Sequence, residues 1–389
     1  MAKQKQQEIG FATAAIHVGS EPDSLTGAVG PAIVPTSTYA QDELGKPRQG
    51  YEYARVTNPT RDRLQECLAA LEGGITSRVF ASGMAAVTAL CTMMKRGDHL
   101  VCTNNVYGGV PRLFNQILVN YDLEFSYVDT SNAGLVEKAI RKNTRYVYVE
   151  TPTNPLMTIS DLEAIAKICR RKGVELIVDN TFMSPYFQRP LEFGAHMVLH
   201  STTKFLNGHS DGLGGVIVCS TKEQADKLAF IQKTAGAIMS PFECWLVLRG
   251  VKTLAVRMEQ HNRNGMKVAQ FLSGHRKVKR VFYPGLPDHA QYDLAKRQMG
   301  GYGSMITFET GSLANAKKLL KRVGAVCTLA ESLGGVETLI SHPASMTHAA
   351  IGEKGRKEIG LTDGMVRISV GIEDVEDIIA DLDQALNAI

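Results

Sequence analysis

Residues 174–204 read VELIVD (174–179), NTFMSPYFQRPLEFGA (180–195), HMVLH (196–200) and STTK (201–204). Two short apolar runs, rich in Val, Ile and Leu, each give way to a polar turn. Such runs are strands buried on both faces. The first ends on Asp179 and the second leads into Lys204, so both carry a chemically capable side chain at the carboxyl end. Upstream, a helical pattern over 162–171 precedes the first run, and 146–150 (YVYVE) precedes that helix. Further strands are predicted at 77–81, 100–103 and 123–128, with a helix over 83–94 directly behind the earliest. This alternation predicts an α/β fold: a mostly parallel central sheet with helices on both faces.

Asn58-Pro59 opens a helix as N-cap and first-turn proline; Leu64, Leu68 and Leu71 line one side, and Gly73-Gly74 closes it. Before it, residues 1–57 are rich in Gly, Pro, Ser and Thr and lack periodicity, as in a segment packed on a neighbour. Past about residue 250 the texture changes. A long helix over 251–272 leads to a Pro284-Gly285 turn and shorter strands at 304–309 and 365–370, a smaller α+β C-terminal domain. The expected organisation is an arm (1–57), a main domain (58–255) and a C-terminal domain (256–389).

The chain has 389 residues, 44% apolar and 21% charged, with 43 basic and 39 acidic side chains interspersed and a net charge of +4. That balance excludes a disordered chain and argues only weakly for an acidic partner. No apolar stretch approaches the ~20 residues of a membrane span, and no apolar segment follows the lysines of 1–10 as in a secretory signal. The seven cysteines are scattered and never in Cys-x-x-Cys spacing, as expected of reduced thiols in a cytoplasmic protein.

In doubly wound sheets ligands sit at the carboxyl ends of strands. Ser82-Gly83-Met84 runs from a strand end into a helix, either a phosphate-binding terminus or an ordinary connection. Asp179 is either a buried acid in need of a partner or a turn aspartate. Lys204 is either a surface lysine or a desolvated amine available as a nucleophile. Arg55, near Tyr53, suits phosphate or carboxylate recognition, and Tyr107 could stack on a flat ring; each is also compatible with packing. Together, an amine, an acid, a helix terminus and a stacking tyrosine are what pyridoxal 5′-phosphate requires.

The chain resembles, over nearly its whole length, the Cys/Met-metabolism group of fold-type I pyridoxal-phosphate enzymes. The stretches that carry the resemblance are Tyr53-Ala-Arg55-Val-Thr-Asn58-Pro59-Thr60, Ser82-Gly83-Met84-Ala85-Ala86, Glu150-Thr-Pro-Thr-Asn154-Pro155 and Val178-Asp179-Asn180-Thr181-Phe182. Two more are Ser201-Thr-Thr203-Lys204-Phe-Leu-Asn207-Gly208-His209-Ser210-Asp211 and Arg367-Ile-Ser369-Val-Gly371. The resemblance implies that Lys204 carries the cofactor and moves protons, Asp179 pairs with the ring nitrogen, and Tyr107 stacks on the ring. Gly83, Met84, Ser201 and Thr203 would hold the phosphate. Tyr53 and Arg55 would reach the cavity of a neighbouring subunit, which implies a homotetramer built from dimers. Arg367 would clamp the substrate α-carboxylate, with Asn154 and Ser332 nearby.

Within the group, Glu331 in Leu329-Ala-Glu331-Ser332-Leu-Gly-Gly335 points to cystathionine, whose distal ammonium it could meet; a solvated loop glutamate is the plainer reading. Gly109 behind the Tyr-Gly pair also departs from the methionine γ-lyase pattern. The implied reaction is γ-elimination of cystathionine, with the γ-synthase reaction and, further off, methionine γ-lyase as alternatives. Arg112 could bind a distal carboxylate. His196, His200 and His209 invite a metal reading, but they lie on or beside a strand, and no metal is expected. The run 275–280 (HRKVKR) is short and lacks aromatics, so no nucleic-acid partner is expected.

Overall fold

The structure, a computed structural model, describes residues 9–349 and 352–389. Its larger sheet has seven strands in the spatial order Thr76–Phe80, Gly215–Cys219, Met197–Ser201, Glu175–Asp179, Thr144–Glu150, His99–Thr103, Glu124–Val128. Only Gly215–Cys219 runs against its neighbours, pairing antiparallel on both sides; the other pairings are parallel. The sheet is thus mixed but mostly parallel, as expected.

Period-two alternation sends successive side chains to opposite faces. Tyr148, Ile177, Leu199 and Ile217 pack with Ala86, Leu90 and Phe114 from helices Gly83–Cys91 and Gly109–Gln116. Val147, Val149, Leu176 and Val178 pack oppositely with Leu162, Ile165 and Cys169 from Leu162–Lys172, while Val198 and Val216 meet Leu64, Leu68 and Leu71 from Pro59–Glu72. Helices therefore cover both faces. Asn58 caps Pro59–Glu72 by accepting from the N–H groups of Thr60 and Arg61, and Gly73 closes it in the left-handed region at φ 76°.

A second, five-stranded sheet has the order Arg280–Phe282, Met305–Glu309, Met365–Ser369, Leu339–Ser341, Thr328–Leu329. On one face Ile306, Phe308, Val366 and Ile368 pack on Val268 and Leu272 of helix Leu254–Gly274 and on Ile378 and Leu382 of Val375–Asn387. The opposite face turns Thr307 and Arg367, paired in register, toward the larger sheet. There Thr307 Oγ1 donates to the carbonyl of Pro155 at 2.7 Å.

The helix expected over 251–272 is Leu254–Gly274, and a further helix, Pro241–Val251, precedes it. The break between them leaves the Gly250 carbonyl to Thr253 and to Arg257 Nη2. The helix expected over 83–94 ends at Cys91. Within 1–57 there is a short helix, Phe11–His17, and a ribbon of Gln41–Glu43 and Lys46–Pro47. All seven cysteines are buried and unpaired. Among the described residues no helix is long and apolar enough to cross a membrane.

Candidate active site

The carboxyl ends of Thr144–Glu150, Glu175–Asp179 and Met197–Ser201 open onto one cavity of about 370 Å³. Its lining brings together Gly83, Met84, Tyr107, Asn154, Asp179, Ser201, Thr203, Lys204, Glu331, Ser332 and Arg367, which lie far apart in sequence. Most of the expected site residues meet here.

Lys204 sits in the turn that leaves the Met197–Ser201 strand, and its Nζ donates to Ser332 Oγ at 2.7 Å. Burial, reinforced by the nearby Arg367 guanidinium and opposed by Glu331, pushes its pKa down to about 8. Asp179 accepts from the N–H and hydroxyl of Thr181 at 3.0 and 2.6 Å and from the Tyr148 hydroxyl at 3.0 Å. Despite these donors, burial raises its pKa. A carboxylate so placed favours a cationic partner.

Ser82 caps helix Gly83–Cys91, its hydroxyl accepting from Ala85 N–H at 3.1 Å. The first-turn N–H groups of Gly83 and Met84 have no acceptor within the helix. Ser201 faces them so closely that a Cβ at Gly83 would stand 3.2 Å from Ser201 Cβ. Thr203 closes the same corner, its hydroxyl accepting from Gly214 N–H at 3.1 Å. Free N–H groups, two hydroxyls and the positive end of a helix are the donor set for a phosphate. With the amine and the acid on the same cavity, the residues fit pyridoxal phosphate.

Opposite, Arg367 is 2% exposed. Its Nη1 donates to Asn154 Oδ1 and its Nη2 to the Ser332 carbonyl, each at 2.9 Å, while Nε is buried without a partner. Burial lowers its pKa to about 10, still cationic. His348 is buried and its Nε2 donates to the Asn154 carbonyl at 3.1 Å. This is a preorganised clamp for a carboxylate. Glu331 stands exposed on the cavity wall, near enough to raise the pKa values of both Lys204 and Arg367.

Three expected residues do not join the lining. Tyr53 is 46% exposed, with the Arg55 guanidinium 5.4 Å over its ring and donating to the Lys233 carbonyl. Arg112 is exposed on helix Gly109–Gln116. His196 Nδ1 accepts from Leu176 N–H, His200 Nε2 meets Glu72 Oε1 at 2.5 Å, and His209 Nδ1 donates to the Asn207 carbonyl. These histidines have separate partners, and no metal-type cluster exists among the described residues.

The sequence reading assigned no role to Glu150, Tyr148, Thr181 or His348. Glu150 carries the same signal as Asp179, an acid ending an apolar strand, and the two are register partners.

Chemistry on an amino acid joined through its amine to an aldehyde cofactor calls for this set, and the class that fold and site define is the pyridoxal-phosphate-dependent enzymes. A family model described as "Cys/Met metabolism PLP-dependent enzyme" matches residues 12–387, and the chain belongs to that family. It is 48% identical over 377 residues to a cystathionine gamma-lyase of Bacillus subtilis, covering 97% of this chain and 99% of that protein. It is 49% identical to a cystathionine beta-lyase of Coxiella burnetii (96% and 97% covered) and 47% to a cystathionine gamma-synthase of Mycobacterium leprae (97% of each). The crystal structure of cystathionine gamma-lyase from Lactobacillus plantarum with L-serine superposes with a TM-score of 0.95 at 42% identity, covering 98% and 99%. Relatives of near-equal identity thus carry the names of three different reactions.

Proposed function

We propose that this enzyme eliminates the γ-substituent of L-cystathionine, consuming one water and giving L-cysteine, 2-oxobutanoate and ammonia. The observation that carries the reading is Glu331 on the cavity wall beside the cations Lys204 and Arg367. A substrate whose α-carboxylate sits on Arg367 and whose far end carries an ammonium uses both charges; a methylthio group would leave the Glu331 charge unused. The stretches 106–109, 150–155 and 182–190 favour the γ-lyases of the group. The γ-synthase reaction, joining an O-acylhomoserine to cysteine, is the second reading, because the same Glu331 serves cystathionine as product.

When bound, pyridoxal phosphate supplies an electron sink conjugated to the substrate α-carbon. Gly83, Met84, Ser201 and Thr203 would hold its phosphate, Asp179 its ring nitrogen and Tyr107 its ring face. Arg367, its Nε otherwise unpartnered, binds the α-carboxylate and fixes which substituent of the α-carbon faces Lys204. The Lys204 amine removes the α-proton and returns a proton on the cofactor side; a pKa of about 8 suits one group to both tasks near neutral pH. Having given up its proton, the Lys204 amine takes a β-proton, and the cysteine thiolate leaves the γ-carbon. Glu331 holds the distal ammonium meanwhile. Tyr53 and Arg55, outside their own chain's cavity, would complete that of a neighbour in a cytoplasmic homotetramer.

The test is product analysis of purified, cofactor-loaded enzyme with L-cystathionine alone. Release of 2-oxobutanoate and cysteine is expected. Pyruvate with homocysteine would make the enzyme a β-lyase. Little turnover, but rapid cystathionine formation from O-acylhomoserine and cysteine, would favour the synthase.

A further inference from the structure

Glu150 stands where shape alone does not explain a glutamate. It ends its strand in register with Asp179 on the next strand and is 5% exposed, so two carboxylates lie side by side at the cavity floor. Like charges so placed oppose each other's ionisation. Both Glu150 oxygens are engaged, and both by main chain: Oε2 accepts from Tyr107 N–H at 2.8 Å and Oε1 from Asn154 N–H at 3.3 Å. The first contact holds a turn with little room. A Cβ at Gly108 would lie 2.7 Å from the Thr347 carbonyl oxygen, and one at Gly109 2.6 Å from the Tyr107 ring. The second holds the residue whose side chain orients Arg367.

We infer that Glu150 is a positioning residue that couples the two halves of the site. One carboxylate fixes both the turn bearing Tyr107, against which the cofactor ring would lie, and the loop bearing Asn154, which aims Arg367 at the substrate α-carboxylate. A glutamine has the same outline, but its amide NH2 opposes one N–H and its neutral oxygen holds the other more weakly, so both loops loosen. The repulsion from Asp179 eases when a protonated ring nitrogen arrives, so the acid pair favours the loaded enzyme. The inference rests on the proposed seats of the ring and the α-carboxylate, and holds whichever sulfur amino acid is the substrate.

The test uses apoenzyme prepared from the wild type and from Glu150→Gln, Glu150→Asp and Arg367→Lys. Pyridoxal phosphate is titrated in by protein fluorescence; glycine is then titrated into the loaded enzyme by visible circular dichroism, which reports ring orientation. Glu150→Gln is expected to lose about tenfold or more in affinity for both pyridoxal phosphate and glycine, with a reduced dichroic band. Arg367→Lys should lose glycine affinity while keeping cofactor affinity. Unchanged affinities in Glu150→Gln, or a loss confined to one ligand, overturn the coupling. Should Glu150→Gln fail to fold, Glu150→Asp decides: losses in both affinities support the inference and wild-type values refute it. If Arg367→Lys binds glycine normally, the carboxylate seat is wrong and the inference falls with it. If only the Glu150 variants behave as wild type, the seat stands and the inference alone falls.

Discussion

Lys204 and Ser332 meet at 2.7 Å across 128 positions of chain, amine to hydroxyl. Ser332 pays for the meeting with a backbone φ of 107°, a region that residues with a Cβ avoid. Its carbonyl also accepts from Arg367. One strained residue therefore positions both the Lys204 amine and the Arg367 guanidinium.

Separating strain from contact gives the first prediction. Ser332→Gly relieves the backbone and removes the hydroxyl, so the melting temperature should rise while kcat falls about tenfold. Ser332→Ala should lower kcat similarly without the gain in stability. Calorimetry beside steady-state kinetics distinguishes the two; a Ser332→Gly enzyme of wild-type kcat would show that the hydroxyl contact is idle.

The depressed Lys204 pKa has a visible consequence in the apoenzyme. Only the free amine can attack the cofactor aldehyde, and the free fraction grows as pH rises toward about 8. The rate of cofactor uptake, followed by absorbance, should climb about tenfold per pH unit well below that value and level off above it. An inflection nearer 10.5 would mean an ordinary, solvated lysine. Lys204→Ala should lose both the absorbance of covalently held cofactor and turnover.

Glu331→Gln keeps size and removes charge. Cofactor binding should stay unchanged, while kcat/KM for cystathionine falls about tenfold or more relative to that for an uncharged thioether such as methionine. Parallel changes for both substrates would deny Glu331 a part in choosing between them.

Two buried histidines weaken the fold in acid. Burial lowers the pKa values of His261 and His348 to about 4 each. Between about pH 6.5 and 4 the unfolded chain binds protons at these sites and the folded chain does not. Stability is therefore present above pH 6.5 and lost as pH falls, at about 1.4 kcal/mol per unit for each histidine. Urea midpoints measured across this window should drop steeply, and His348→Gln should flatten the slope.

Much of the site was legible because its residues terminate strands. Asp179 and Lys204 could be found as polar residues at the ends of apolar runs, and Gly83 as the start of a helix behind a strand. Arg367 was different. It lies within a strand of the smaller sheet, and only the pairing of Met365–Ser369 with Met305–Glu309 turns it toward the cavity. The resemblance supplied it; periodicity could not. Glu150 was quoted without a role, because its partners are main-chain N–H groups, which leave no trace in residue identity. The antiparallel direction of strand Gly215–Cys219 was likewise invisible, since a buried apolar run reads the same in either direction. Helix Pro241–Val251 was missed although Ser240-Pro241 carries the cap and first-turn proline of a helix start.

The seven buried thiols bear on how the enzyme survives its own chemistry. A catalyst of sulfur amino acid metabolism works in contact with small mercaptans and their disulfides, and an exposed thiolate would be capped by exchange. Here burial lifts Cys67 and Cys91 to about pKa 12 and holds both in the thiol form. The fold thus makes its own sulfur inert. A thiol-reactive dye should leave the native enzyme unlabelled and add seven equivalents on unfolding, turning the cysteines into a built-in clock for how often the core opens.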